Sequence, residues 1–321
     1  MAGTRAAFFY GIVSAICYSG ANICLRRATH LDPVWVSQLK SIPLIVVLGS
    51  VLLWRAWQGQ QVGVGLRTIG AICVAGLFGQ LGGNILFQWA LGVVGIALAV
   101  PVTTGSQIIS SAIMGHVFLG DRAGKQLGGA AVALIAAITV LAFGAERAGN
   151  AVQAADTTTL ATWSHVLLGI CAACVSGASY SVLGVTLRHH TKQGAPITTT
   201  LFIIGLVGFC SLGSIVFARF GTELWHTTQW QDYAVLGAAG LFNVVAFATL
   251  TVALRVASVL FVNALSASQI AIAAISGVLL FHEPWTYTLS IGVVLTVLGL
   301  FLMRPRGTEA PAKPVHSHDS N

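Results

Sequence analysis

The sequence predicts an all-α polytopic membrane protein of ten transmembrane helices, arranged as two inverted five-helix repeats. Three observations carry that expectation. Apolar residues make up 56% of the 321 positions, and Asp, Glu, Lys and Arg only 8%, where a soluble chain carries about 25%. The apolar residues gather into ten runs, each near the ~20 residues that a membrane helix needs. A set of short words also recurs at a spacing of 162–164 residues.

The runs are 7–25, 34–56, 69–90, 95–118, 126–143, 163–186, 196–218, 233–254, 258–281 and 287–303. Period-2 alternation is absent, which argues against a barrel. Helices satisfy their own backbone groups in hydrocarbon, so the runs are read as helical. The nine carboxylates (Asp32, Asp121, Glu146, Asp156, Glu223, Asp232, Glu283, Glu309 and Asp319) mark the gaps and tails. The eight tryptophans fall at or near run ends, where an indole sits among headgroups. All six cysteines lie within runs. Cys171 and Cys174 form a CxxC without histidine neighbours, so they read as packing residues; no metal or cofactor is expected.

Lysine and arginine set the orientation. With a cytoplasmic N-terminus, inner segments hold Arg5, Arg55, Arg67, Arg122, Lys125, Arg188, Lys192, Arg255, Arg304, Arg306 and Lys313, and outer segments Arg26, Arg27, Arg147 and Arg219. Both termini are therefore expected in the cytoplasm, in an inner or plasma membrane. The net charge of +7 follows from this bias toward anionic lipid. It is not a nucleic-acid signal, because no basic stretch is interleaved with solvent-facing aromatics. The first run ends in Arg26-Arg27 without a small-residue cleavage site and is expected to be retained.

The repeat supplies the domain plan. Ala75-Gly76-Leu77-Phe78 recurs as Ala239-Gly240-Leu241-Phe242, Ala90-Leu91 as Ala253-Leu254, Ser106-Gln107-Ile108 as Ser268-Gln269-Ile270, and Asp121 as Glu283. Pro33 opens the second run as Pro196 opens the seventh. The units are 7–143 and 163–303, joined by an outer polar linker at 144–162 and followed by a tail at 304–321 that is expected to be disordered and cytoplasmic. Five spans is an odd number, so the second unit threads the membrane in the opposite direction. Inverted repeats around a midplane site recur in secondary transporters.

These residues resemble the ten-helix EamA-type members of the drug/metabolite transporter superfamily. Two motifs carry the resemblance: an apolar helix ending in an acid, here Asp121-Arg122 and Glu283-Pro284, and a Gly-rich apolar helix after each. The family's second span commonly opens on proline and carries arginine one or two turns later; here Pro33 is followed by Lys40. Asp121 and Lys40 depart from the usual glutamate and arginine. The resemblance spans roughly residues 8–303 and implies a transporter of small metabolites.

The candidate residues each have two readings. Glu283 before Pro284 either caps the tenth span or acts in gating, and Asp121 shares that choice. Lys40, about two turns into its run, either snorkels or faces a cavity and attracts a carboxylate or phosphate. Amides inside membrane spans must meet a partner, a water or a ligand. Gln80, Asn84 and Gln88 share one helical face, and Gln107 and Gln269 are repeat equivalents. With Asn22, Lys40, Tyr180 and Asn263 they form the expected substrate-lining set. Gly79 and Gly83 are spaced for close helix approach, within one chain or across a homodimer.

Carboxylates are absent from run interiors, which disfavours proton-coupled export of lipophilic cations. No GxxxxGK[ST] run is present, so no ATP-driven step is expected. The histidines are scattered and no catalytic set converges, so no enzyme is expected. The expected function is alternating-access transport, in the export direction, of small polar metabolites: amino-acid-like, zwitterionic or anionic. The rival within the superfamily, a nucleotide-sugar exchanger, would ask for several basic residues where the runs offer Lys40. Membrane lipid and a small-molecule substrate are the expected partners.

Overall fold

The computed structural model describes residues 2–119, 129, 132–133, 135–141, 163–256, 262 and 267–302. Every regular element among them is a helix. Seven helical stretches are long and apolar enough to cross a membrane: Ala6–Arg27, Pro33–Trp57, Leu66–Val94, Ile96–Phe118, Trp163–Lys192, Ile197–Phe220 and Trp230–Arg255. They match seven expected runs. Two shorter apolar helices, Ala267–Phe281 and Tyr287–Leu302, lie in the last two runs. The fifth run is described only in part.

In chain order the helices are α1 (Ala2–Arg27), α2 (Pro33–Leu39), α3 (Ile42–Trp57), α4 (Leu66–Leu77), a π-helical segment (Phe78–Ile85), α5 (Leu86–Val94) and α6 (Ile96–Leu119). Then follow α7 (Trp163–Lys192), α8 (Ile197–Phe220), the short α9 (Glu223–Thr227), α10 (Trp230–Val256), α11 (Ala267–Phe281) and α12 (Tyr287–Leu302).

Two runs expected as continuous α-helices are not. The second breaks at Lys40-Ser41, between α2 and α3. Pro43 is the cause: it has no N–H to give, and its ring clashes with the carbonyl four residues back, that of Leu39. The third run widens into the π-helical segment. Between Phe78 and Ala90 lie eleven residues, but between their repeat equivalents Phe242 and Ala253 only ten. A π-turn bonds i to i+5 and so takes up one more residue than an α-turn. The extra residue is absorbed there, and the flanks keep register: Ala75, Ala90 and Leu91 are buried, as are Ala239, Ala253 and Leu254.

Helices from the two halves of the chain interleave. α1 packs along α10 and α11, while α7 packs along the α4–π–α5 span and α6. α2 and α3 pack on α8, and α6 on α11. The outward faces are apolar, with Phe8, Leu53, Val117, Phe217 and Leu279 exposed.

The largest apolar core gathers at the end of the bundle where α1 finishes, called here the Arg26 end. It includes Leu25, Trp35, Leu91, Val94, Ile96, Ile170, Leu212 and Leu236. Trp35 corrects the expectation that every tryptophan meets headgroups. It is 0% exposed, stacks edge-on against Trp225 at 4.7 Å, and donates Nε1–H to Thr228 Oγ1 at 2.9 Å. Trp54, Trp57, Trp230 and Trp285 are exposed as expected.

Candidate functional site: a cavity between the two halves

A cavity of about 140 Å³ lies in the middle of the bundle. About 10–15 Å³ of such space holds one water, so a small metabolite fits. Of the expected lining set, Asn22, Lys40, Gln80, Asn84, Gln107, Tyr180 and Gln269 border it. The repeat equivalents Gln107 and Gln269 both reach it, one from each half.

Local backbone features place the polar groups. The break after α2 sets Lys40 at a helix end beside the cavity. α10 can pass this break because Gly240 has no side chain: a Cβ there would stand 2.6 Å from Pro43 Cγ and 2.8 Å from the Lys40 carbonyl oxygen. Lys40 Nζ donates to Asn84 Oδ1 at 2.7 Å, and Tyr180 OH donates to the same oxygen at 2.6 Å. Asn84 Nδ2 in turn donates to Gln80 Oε1, and Gln80 Nε2 reaches the Ile204 carbonyl at 3.4 Å. Lys40 is 7% exposed, and no carboxylate among the described residues lies within ion-pair distance of it. An ammonium carries three donors, and Asn84 takes one.

Gly79 and Gly83 bring the π segment against α7 within the same chain. A Cβ on Gly79 would fall 2.8 Å from Leu183, and one on Gly83 2.7 Å from the Tyr180 ring. Ser176 Oγ donates to the Gly83 carbonyl at 2.8 Å, serving a group within the widened ladder.

Gln88 does not border the cavity. It sits one turn beyond Asn84, toward the Arg26 end, where Nε2 donates to the Leu25 carbonyl at 3.0 Å near the close of α1. Gln80 and Gln88 are buried and Asn84 half-buried, and depth in the bundle divides the stripe. Asp121 and Asn263 lie outside the described residues.

Glu283 occupies a different place from the one its sequence position suggests. It is 4% exposed, and its carboxylate caps α6 rather than α12, accepting the Ile96 N–H at Oε1 and the Ala97 N–H at Oε2, both at 2.9 Å. Arg26 Nε donates to Oε1 at 3.0 Å and completes a buried ion pair between α1 and the α11–α12 turn. His282 takes φ +54°, an uncommon conformation for a side-chain-bearing residue, and so turns the backbone inward. Glycines clear the space: a Cβ on Gly95 would stand 2.5 Å from Glu283 Oε1, and one on Gly277 2.6 Å from Oε2. Gly95 also needs its φ of +79° to start α6.

The expected set missed several lining residues, chiefly Tyr18, Asn243 and Phe247. A signal for one was present: Tyr18 and Tyr180 stand 162 residues apart, at the repeat spacing. Phe247 carried none, since an apolar residue facing a cavity reads like one facing a core.

Residues 167–304 match the sequence model of the EamA-like transporter family, so the resemblance read from the motifs is found independently over the second half. Twenty-eight chains of solved structures match. One, titled "Crystal structure of protein", is 17% identical, with a TM-score of 0.63 over 92% of this chain and 96% of that chain. At this identity the likeness shows a shared fold. Among curated proteins no match was found.

Proposed function

We propose, from the family matched over residues 167–304, that this integral membrane protein is a secondary transporter or facilitator of small polar metabolites. The carrying observation is the cavity: lined by polar and apolar side chains together, bearing Lys40, shared by both halves of the chain and bordered by packed core at the Arg26 end. Alternating access is the mechanism this arrangement suits. The helix pairing supports an inverted repeat. The first span packs on the eighth and ninth, as the sixth packs on the third and fourth, while the second meets the seventh and the fourth meets the ninth. Two near-equivalent halves can exchange packings at small energetic difference. On this reading the units 7–143 and 163–303 are the repeats, and both termini face the cytoplasm of an inner or plasma membrane. The Arg26 end is then the outer one, and the direction is export. The solute is amino-acid-like, zwitterionic or anionic, with Lys40 taking its negative group.

Purified protein in liposomes, preloaded with a mixed panel of amino acids, organic acids and sugars, tests this directly. Counterflow of at least one labelled solute above protein-free liposomes is expected. Failure of every solute, with the protein monodisperse and oriented, overturns the reading.

A further inference from the structure

We infer that the cavity binds a monoanionic carboxylate with an apolar body and no ammonium group; this rests on the transporter reading above. The observation is an asymmetry between repeat equivalents at one site. Lys40 answers in the second copy to Ile203, which stands next to the lining residue Ile204, while Asn22 answers to Gly184 and Asn84 to Phe247, both in the lining. Each exchange puts the polar member in the first half and the apolar or bare one in the second. On α10 the cavity face runs Asn243, Phe247, Leu250, Leu254, at the spacing of one helical face. From Phe247 to Leu254 this apolar strip is about 10 Å long. The matching face of the first copy begins with Gln80 and Asn84 instead.

A ligand that satisfies both walls has a charged head and a hydrocarbon body. Lys40 offers the head two N–H donors not taken by the described residues, beside the Tyr180 hydroxyl. A second carboxylate on the ligand would have to lie on the strip, unpaired. An ammonium fares no better. The sequence keeps its carboxylates at span ends and in tails, and the one buried among the described residues, Glu283, is committed to Arg26 and α6. The ammonium would meet Lys40 as a like charge at low dielectric, with no acid among the described residues to offset it. A zwitterion of the same shape is therefore the weaker ligand.

The test uses 4-methyl-2-oxopentanoate, an acid strong enough to stay ionised and cross the bare bilayer slowly. Counterflow of the labelled compound into liposomes containing the full chain is competed with three probes. Pyruvate keeps the head without the body, leucine adds the ammonium, and 4-methyl-2-pentanone lacks the carboxylate. Each should compete about tenfold or more weakly than the unlabelled oxo acid. Lys40→Gln should weaken oxo-acid uptake about tenfold, and Lys40→Arg should restore part of it. Phe247→Asn should narrow the preference over pyruvate without removing uptake; it keeps the inference testable if Lys40→Gln fails to fold. Leucine competing as well as the oxo acid overturns the inference and leaves the transporter reading standing. So does absence of oxo-acid counterflow while another solute of the mixed panel is moved. Only silence across the whole panel removes both.

Discussion

Lys40 and Glu283 are both charges withdrawn from water, and their surroundings predict opposite effects of neutralising them. Glu283 meets Arg26 and two backbone N–H groups. Glu283→Gln leaves the guanidinium buried without its counter-charge, which costs about 3–5 kcal/mol. Denaturant or thermal unfolding in detergent should show the loss, and Arg26→Gln should show a similar one. Among the described residues Lys40 has one neutral partner, so its burial is a standing cost of about 2.5–3.5 kcal/mol on insertion scales. Lys40→Met should therefore leave the unfolding midpoint unchanged or raise it while transport falls. A lower midpoint together with intact transport would make Lys40 a structural residue. Lys40 was legible in the sequence, because a lysine that deep in an apolar run is costly and demands a reason. The partner of Glu283 was not. Local chemistry favoured a cap on the helix that follows, whereas the donors are Arg26, 257 residues away, and the N–H groups of Ile96 and Ala97.

The elements carrying the site are the two that depart from regular helix. Pro43→Ala returns the missing N–H and should let α2 and α3 join, swinging Lys40 away from Asn84. The expected result is unchanged or higher stability with reduced uptake of the oxo acid, read by unfolding and counterflow together. The π segment offers a sharper contrast. Deleting Gly82 removes the one residue by which the first copy exceeds the second, so Ala90 and Leu91 should keep their buried register and the protein should still fold. Asn84 would then lose its place between Lys40 and Tyr180, and transport should fail. Deleting Ala246 from the regular α10 instead rotates everything beyond it by about 100°, and that variant should not accumulate as folded protein. Size-exclusion profiles and counterflow separate these outcomes. The sequence held both departures in readable form, as a proline three residues after Lys40 and as a repeat spacing that drops from 164 to 163 between Phe78 and Ala90. Hydropathy could not show either, since a kink or a widened turn leaves apolar content untouched.

At the scale of the molecule, repeat spacing leads to the expectation of two similar halves but does not say at which end of the bundle the largest apolar core gathers. On the transporter reading proposed above, closure belongs to one of two near-equal packings, and the sequence specifies both. In this packing the Arg26–Glu283 pair ties α1 to the α11–α12 turn and to the start of α6, while Trp35, Trp225 and Tyr233 cover the same end. If alternating access operates, that pair must part whenever the cavity opens toward the Arg26 end. Weakening it should then raise the population open on that side. A charge-assisted hydrogen bond is worth about 1.5–3 kcal/mol, which corresponds to roughly a 10–100-fold change in an equilibrium. The reporter is Leu25→Cys, placed in a variant lacking the native cysteines, because Leu25 is buried here and borders the cavity on its Arg26 side. A membrane-impermeant maleimide applied from that face should label it at least about tenfold faster in Glu283→Gln than in the parent. Arg26→Gln should behave alike. Glu223→Gln, which removes an acid from the short α9 helix at the same end, should leave the rate unchanged. Equal acceleration by all three would mean general loosening of the bundle. No acceleration by the first two would mean that the pair holds the fold together without governing which side is open.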